Sequence, residues 1–144
     1  MKLLINLVLK SNSYLKRLIF IPIICMSSYT YGQIWEPIVE SESNTVYYID
    51  SSSIKREGDI VSYWELSDYS TPLKDGNLVV VSSKSKIFQD CKNNRYKVGD
   101  LIDYDGHKGM GNIVNVTMGS VTDWYKGTTD SVNELLKKRL CKDL

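Results

Sequence analysis

The sequence predicts an α+β fold: a mainly antiparallel β-sheet meander of about five to six strands, with one C-terminal helix packed on it and tethered by a disulfide. Three observations carry that expectation. From Thr45 onward, short β-prone runs alternate with turn signals too brief for the crossovers that parallel strands need. The closing segment TTDSVNELLKKRLCKDL consists of helix formers and polar residues, with neither Gly nor Pro. Two cysteines, Cys91 and Cys141, remain once an N-terminal leader is set aside.

That leader is the first element. Lys2, Lys10, Lys16 and Arg17 precede the apolar run LIFIPIICM, and the small and polar residues SSYTYGQ follow it, which is the order of a secretory signal peptide. The run spans 9 residues, interrupted by Pro22, whereas a membrane-crossing helix needs about 20. A cut after Gly32 makes residues 1–32 the signal peptide and leaves no transmembrane span in the rest. Cys25 leaves with the leader; a lipidated cysteine there would follow Ile24, which is not the small residue such sites favour. Residues 33–144 are enough for one domain with one core. All 17 acidic residues lie in that part against 14 of the 18 basic ones, so its formal charge is −3 and nothing in it suggests a global attraction to nucleic acid.

The strand-like runs are TVYYID, DIVSYWELSDY, NLVVVSSKSKIFQDC, RYKVGDLIDY and GNIVNVTMG, and the turns between them SSSIKREGD, STPLKDG, KNN and DGHKGM. Along DIVSYWELSDY the residues Ile60, Ser62, Trp64, Leu66 and Asp68 share one parity, and Val61, Tyr63, Glu65, Ser67 and Tyr69 the other. Neither parity is wholly polar, which predicts a sheet covered on both sides in places or curled towards a partial barrel.

In the terminal helix, Ser131 and Glu134 have capping-box spacing. Val132, Leu135, Leu136 and Leu140 gather on one face, with Lys137, Lys138 and Arg139 mostly opposite. An even cysteine count in an exported chain points to a Cys91–Cys141 disulfide, because the bacterial periplasm is kept oxidising. In a reducing compartment the same two would be core thiols. The crosslink would close a loop of 50 residues, worth up to about 4 kcal/mol in the chain-entropy model.

No catalytic constellation emerges. His107 is the single histidine, set in the turn DGHKGMG, and has no nucleophile and orienting group in sequence around it. Aligning Asp103, Asp105 and Gly106 with a calcium loop puts Leu101 and Asn112 where its strongest carboxylates belong, so Asp105-Gly106 is better explained as turn chemistry. Zinc needs about four Cys or His ligands and residues 33–144 offer three, so no metal and no cofactor is expected; GHKGMGN lacks phosphate-loop spacing as well. The remaining candidate ligand-binding group is basic: Lys84, Lys86, Lys92, Arg95 and Lys97. Lys84 and Lys86 share a strand parity and project together, either to receive an acidic ligand or host glycan or to keep a sheet edge soluble.

The order VYYID, SIKREG, YWELSDYSTP, SSKSKIFQDC with Arg95, YDGHKGMGNIV, Trp124 and a terminal helix ending in Cys141 resembles the surface-adhesin protein E family of exported Gram-negative proteins. The shared positions include Trp64, Asp68, Tyr69, Pro72, Asp90, Cys91, Tyr104, Gly109, Gly111, Trp124, Ser131 and Cys141. The resemblance makes residues 33–144 a single protein E-like domain, with a small antiparallel sheet and a helix joined through Cys91 and Cys141. It implies a non-enzymatic adhesin at the cell surface or outer membrane that contacts epithelial cells and matrix proteins such as laminin or vitronectin, and that can form a homodimer. The alternative is a periplasmic structural or stress-related protein with the same scaffold and no host contact. The segment WYKGTTDSVNELL departs from the family by lacking a proline, and Cys25 gives no counterpart to the namesake's lipid anchor.

Overall fold

The computed structural model describes residues 32–119, 121–128 and 131–142; the expected signal peptide and Cys25 lie outside them. The strands are β1 (Trp35–Glu40), β2 (Val46–Glu57), β3 (Ile60–Asp75), β4 (Leu78–Asp90), β5 (Arg95–Tyr104), β6 (Ile113–Thr117) and β7 (Tyr125–Lys126), followed by the helix α1 (Val132–Leu140). β1 to β6 form an antiparallel meander in sequence order, as expected. The outer edge of β5 is shared: β6 pairs with Leu101–Tyr104, and β7 with Arg95 and Tyr96.

Two segments expected as turns are largely strand. SSSIKRE continues β2 and STPLKD continues β3, so these two segments reverse the chain only at Gly58-Asp59 and Gly76-Asn77. Both glycines have left-handed φ, 58° and 57°, at the first of two turn residues, a position that tight hairpins give to glycine. The polar stretches are accommodated as bulges: register is lost between Asp50 and Lys55 of β2, and between Asp68 and Leu73 of β3. β1 itself had no sequence signal, because Pro37 argues against a strand; it is an edge strand, where the missing N–H costs no ladder bond.

The helix lies against one sheet face. Its Leu136 and Leu140 are buried with Ile49 of β2, Val61 and Tyr63 of β3 and Ile87 of β4, and Ile38, Tyr96, Val98 and Val132 pack around them. Leu135, expected on the same stripe, is 42% exposed; it looks instead into a recess beside the β1–β2 turn. Half of the capping box forms: the Ser131 hydroxyl accepts the Glu134 N–H, while the Ser131 N–H donates to the Thr128 carbonyl. At the other end, Arg56 of β2 donates to the Leu140 carbonyl, satisfying one of the acceptors that a helix end leaves open. Cys91, just past β4, is bonded to Cys141 at the C-cap of α1, with 5.7 Å between the Cα atoms. Sheet and helix are thus held together by burial at the centre and covalently at the last turn.

Candidate functional site

With α1 on one face, the opposite face carries among the described residues only the turn after β5, whose 3-10 segment His107–Gly109 packs on Asp68, Ser82 and Lys84 at one end. Residues paired across antiparallel strands project to the same side, and the register places Lys84 beside Leu66 and Ile102, Lys86 beside Trp64, and Phe88 between Ser62 and Lys97. The next pair along is Asp90 with Arg95, and Arg95 in turn pairs with Lys126 of β7. Four of the five basic residues singled out in the sequence therefore share this face: Lys84, Lys86, Arg95 and Lys97. Lys92 does not join the row; it is exposed in the four-residue turn between β4 and β5. Lys55, opposite Ser62 on β2, and Lys126 complete the face.

Each cation of the row lies on an aromatic ring. Lys84 Nζ is 5.1 Å from the Tyr104 centroid and 5.7 Å from that of Trp35. Lys86 Nζ is 5.7 Å from Trp64, and Lys97 Nζ is 5.2 Å from Phe88 and 5.3 Å from Trp124, with the Arg95 guanidinium 4.8 Å from that same indole. These separations fall within cation–π range. The long side chains cover the apolar rings with their methylene stems and leave the charge at the surface. Together with the turn 106–109 packed on Ser82, this covers a parity containing Trp64 and the buried Leu66, the expected sheet covered on both sides in places.

The electrostatics follow from that packing. Burial lowers the Lys84 ammonium from the usual lysine range, opposed by the Asp50 carboxylate. Lys86 is lowered by burial and then by Lys55, opposed by Asp100 and Asp50. Asp50, 2% exposed, is anchored by the N–H groups of Ile34 and Ser52 and by the Ser52 hydroxyl. Burial raises the Asp90 carboxyl, but donation from the Asn93 side chain and backbone and from Arg95 outweighs it and holds the group at about 2. Its ion pair with Arg95 measures 2.8 Å. Among the described residues, Lys55, Lys84, Lys86, Lys97 and Lys126 make no salt bridge.

The turn beyond β5 behaves as its Asp-Gly chemistry suggested. Asp105 Oδ1 accepts the Asn112 N–H at 2.7 Å and Oδ2 its side-chain amide at 2.9 Å, closing the loop. His107 is exposed, with Nδ1 3.0 Å from Asp68 Oδ1. Sequence reasoning missed the aromatic partners and Lys55 and Lys126. The alternation Lys84, Lys86, Phe88 was a usable signal on β4, whereas the contributions of Trp35, Trp124 and Lys126 come from cross-strand neighbours that no local pattern reveals.

Comparison with known proteins gives a consistent result. The family model described as Surface-adhesin protein E matches residues 35–142. No curated protein sequence matches the chain. Among solved structures, crystal form II of Haemophilus influenzae protein E superposes with a TM-score of 0.59 at 18% identity, covering 75% of this chain and 87% of that one. Protein E from non-typeable Haemophilus influenzae gives a TM-score of 0.52 at 19% identity, covering 74% and 75%. At these identities the superpositions speak for the fold.

Proposed function

The chain belongs to the surface-adhesin protein E family, and from that premise we propose that it is an exported, non-enzymatic binding protein that engages host matrix proteins such as laminin or vitronectin, or epithelial cells, through the sheet face opposite α1. Residues 1–32 are its signal peptide in this reading, and the resemblance extends it to a homodimer. The observation that carries the reading is the row Lys84, Lys86, Lys97 and Arg95, stacked on Tyr104, Trp64, Phe88 and Trp124. Burial lowers two of these lysines, and no carboxylate among the described residues lies within ion-pairing distance of them. Partly desolvated cations of this kind gain more from an incoming anion than fully hydrated ones.

The decisive experiment is saturable binding of residues 33–144 to immobilised laminin and vitronectin and to epithelial cells; no saturable binding to any of them refutes the adhesin reading. Protease treatment of intact cells separates surface display from the periplasmic alternative, since a strictly periplasmic protein is protected until the outer membrane is breached.

A further inference from the structure

We propose that the face opposite α1 is a track for a linear sulfated polysaccharide of the glycosaminoglycan type, lying along β4 and β5, with Lys84, which also donates to Gln33, at its end beside the turn 106–109. The inference rests on the proposed export and surface display and names the ligand chemistry for that site. Lys84, Lys86 and the pairs Phe88–Lys97 and Asp90–Arg95 occupy four successive same-face positions along β4. At a rise of about 3.3–3.4 Å per residue, cations recur about every 7 Å over a track of about 20 Å. Lys84, Lys86 and Lys97 step from β4 to β5 with one unpaired cation per rung, and Arg95 closes the row in its ion pair with Asp90. This spacing suits a chain ligand with repeating anions better than a globular partner with a single acidic patch. Lys126, paired across from Arg95 on β7, flanks the row on one side, and Lys55 flanks it on β2.

Two alternatives fit less well. Single-stranded nucleic acid gains affinity by stacking bases on open aromatic faces, and here the rings are occupied by the protein's own ammonium and guanidinium groups. An anionic membrane surface favours apolar side chains that insert between headgroups. Trp64, Phe88 and Trp124, which flank the row, are only half exposed and lie beneath these cations. The domain's formal charge is −3, so its attraction for a polyanion has to come from this face rather than from the molecule as a whole.

The test uses residues 33–144 with heparin, fully desulfated heparin, hyaluronan, oligo-dT and phosphatidylserine vesicles as probes, beside immobilised laminin. Saturable heparin binding is expected, with log K falling against log salt at a slope of about −3 to −4, for four or five contacts at about 0.7–0.9 each. Lys86→Gln with Lys97→Gln should weaken it at least about 10-fold and flatten the slope by about 1.5–2. The exposed Lys126→Gln, which removes a cation that stacks on no described ring, should flatten it by about 1. Lys86→Arg with Lys97→Arg should retain binding, as should Lys137→Gln with Lys138→Gln on α1. Equal affinity for desulfated heparin, oligo-dT or vesicles overturns the proposal, as does heparin binding that survives the Gln pair. Laminin binding without heparin binding overturns it and leaves the adhesin reading standing; absence of both removes the two together.

Discussion

Glu65 offers a direct thermodynamic test of the covered face. Its side chain shares that face with Tyr63 and Val61, is 8% exposed, and has an Oε2 with no hydrogen-bond partner among the described residues. Burial raises its carboxyl from 4.5 to about 7. The sign follows from proton counting. Below 4.5 both the folded and unfolded chains hold the proton and the group contributes nothing. Between 4.5 and about 7 the unfolded chain releases the proton while the folded one keeps it, so stability falls as pH rises, and above about 7 the loss is complete. At 1.36 kcal/mol per unit the loss amounts to about 3 kcal/mol. The tyrosines that face this carboxylate do not titrate in that window: burial and Glu65 itself push Tyr63 well above the ordinary phenol value, and burial raises Tyr47 as well. Urea unfolding of the natural protein and of Glu65→Gln at pH 4.5, 6, 7 and 8 isolates the effect, because every other titrating group cancels in the difference. The variant should gain about 3 kcal/mol relative to the natural chain between the lowest and highest pH. A difference that stays flat across the series refutes the buried-carboxyl argument.

Other perturbations test the remaining parts of the structure. Replacing Cys91 and Cys141 together by Ser should cost up to about 4 kcal/mol, read as a lower urea midpoint that reduction of the natural protein reproduces. Leu136→Ala removes a side chain with 0% exposure beneath the helix and should cost about 2–5 kcal/mol in the same assay. Asp90→Ala leaves the Asn93 and Arg95 donors without their acceptor and should cost about 1–3 kcal/mol at neutral pH. In the natural protein the Asp90 contribution should be present above the unfolded value of 3.8 and fade as pH falls towards about 2, so acid titration of the variant should lack that component.

Local features account for what was legible in the sequence. Alternation over Ile60–Tyr69, the Ser131 cap and the helical stripe ending in Leu140 are short-range patterns, and each corresponds to an observed element. Turn chemistry was overread in SSSIKREGD and STPLKDG, since the polar residues there sit in bulges within continuing strands while only Gly58-Asp59 and Gly76-Asn77 turn. The β1 strand was invisible because Pro37 masks it and its pairing comes wholly from β2. For the site, the lysines were visible as charges and their common parity on β4 was visible as spacing. Nothing local revealed that Lys92 would fall in the turn, or that Trp35 and Trp124, distant in sequence, would approach Lys84, Lys97 and Arg95.

The sequence by itself determined the antiparallel meander, the terminal helix and which two cysteines could join them, because strand period, capping and cysteine parity are properties of a few neighbouring residues. Only the tertiary structure decided which sheet face the helix would cover. Burying Ile49, Val61, Tyr63 and Ile87 under Leu136 and Leu140 leaves the other parity with only the turn 106–109 packed on its Lys84 end. Its aromatic rings are then covered by lysine and arginine side chains brought together by register, and that packing turns a scatter of basic residues into an ordered row of charge.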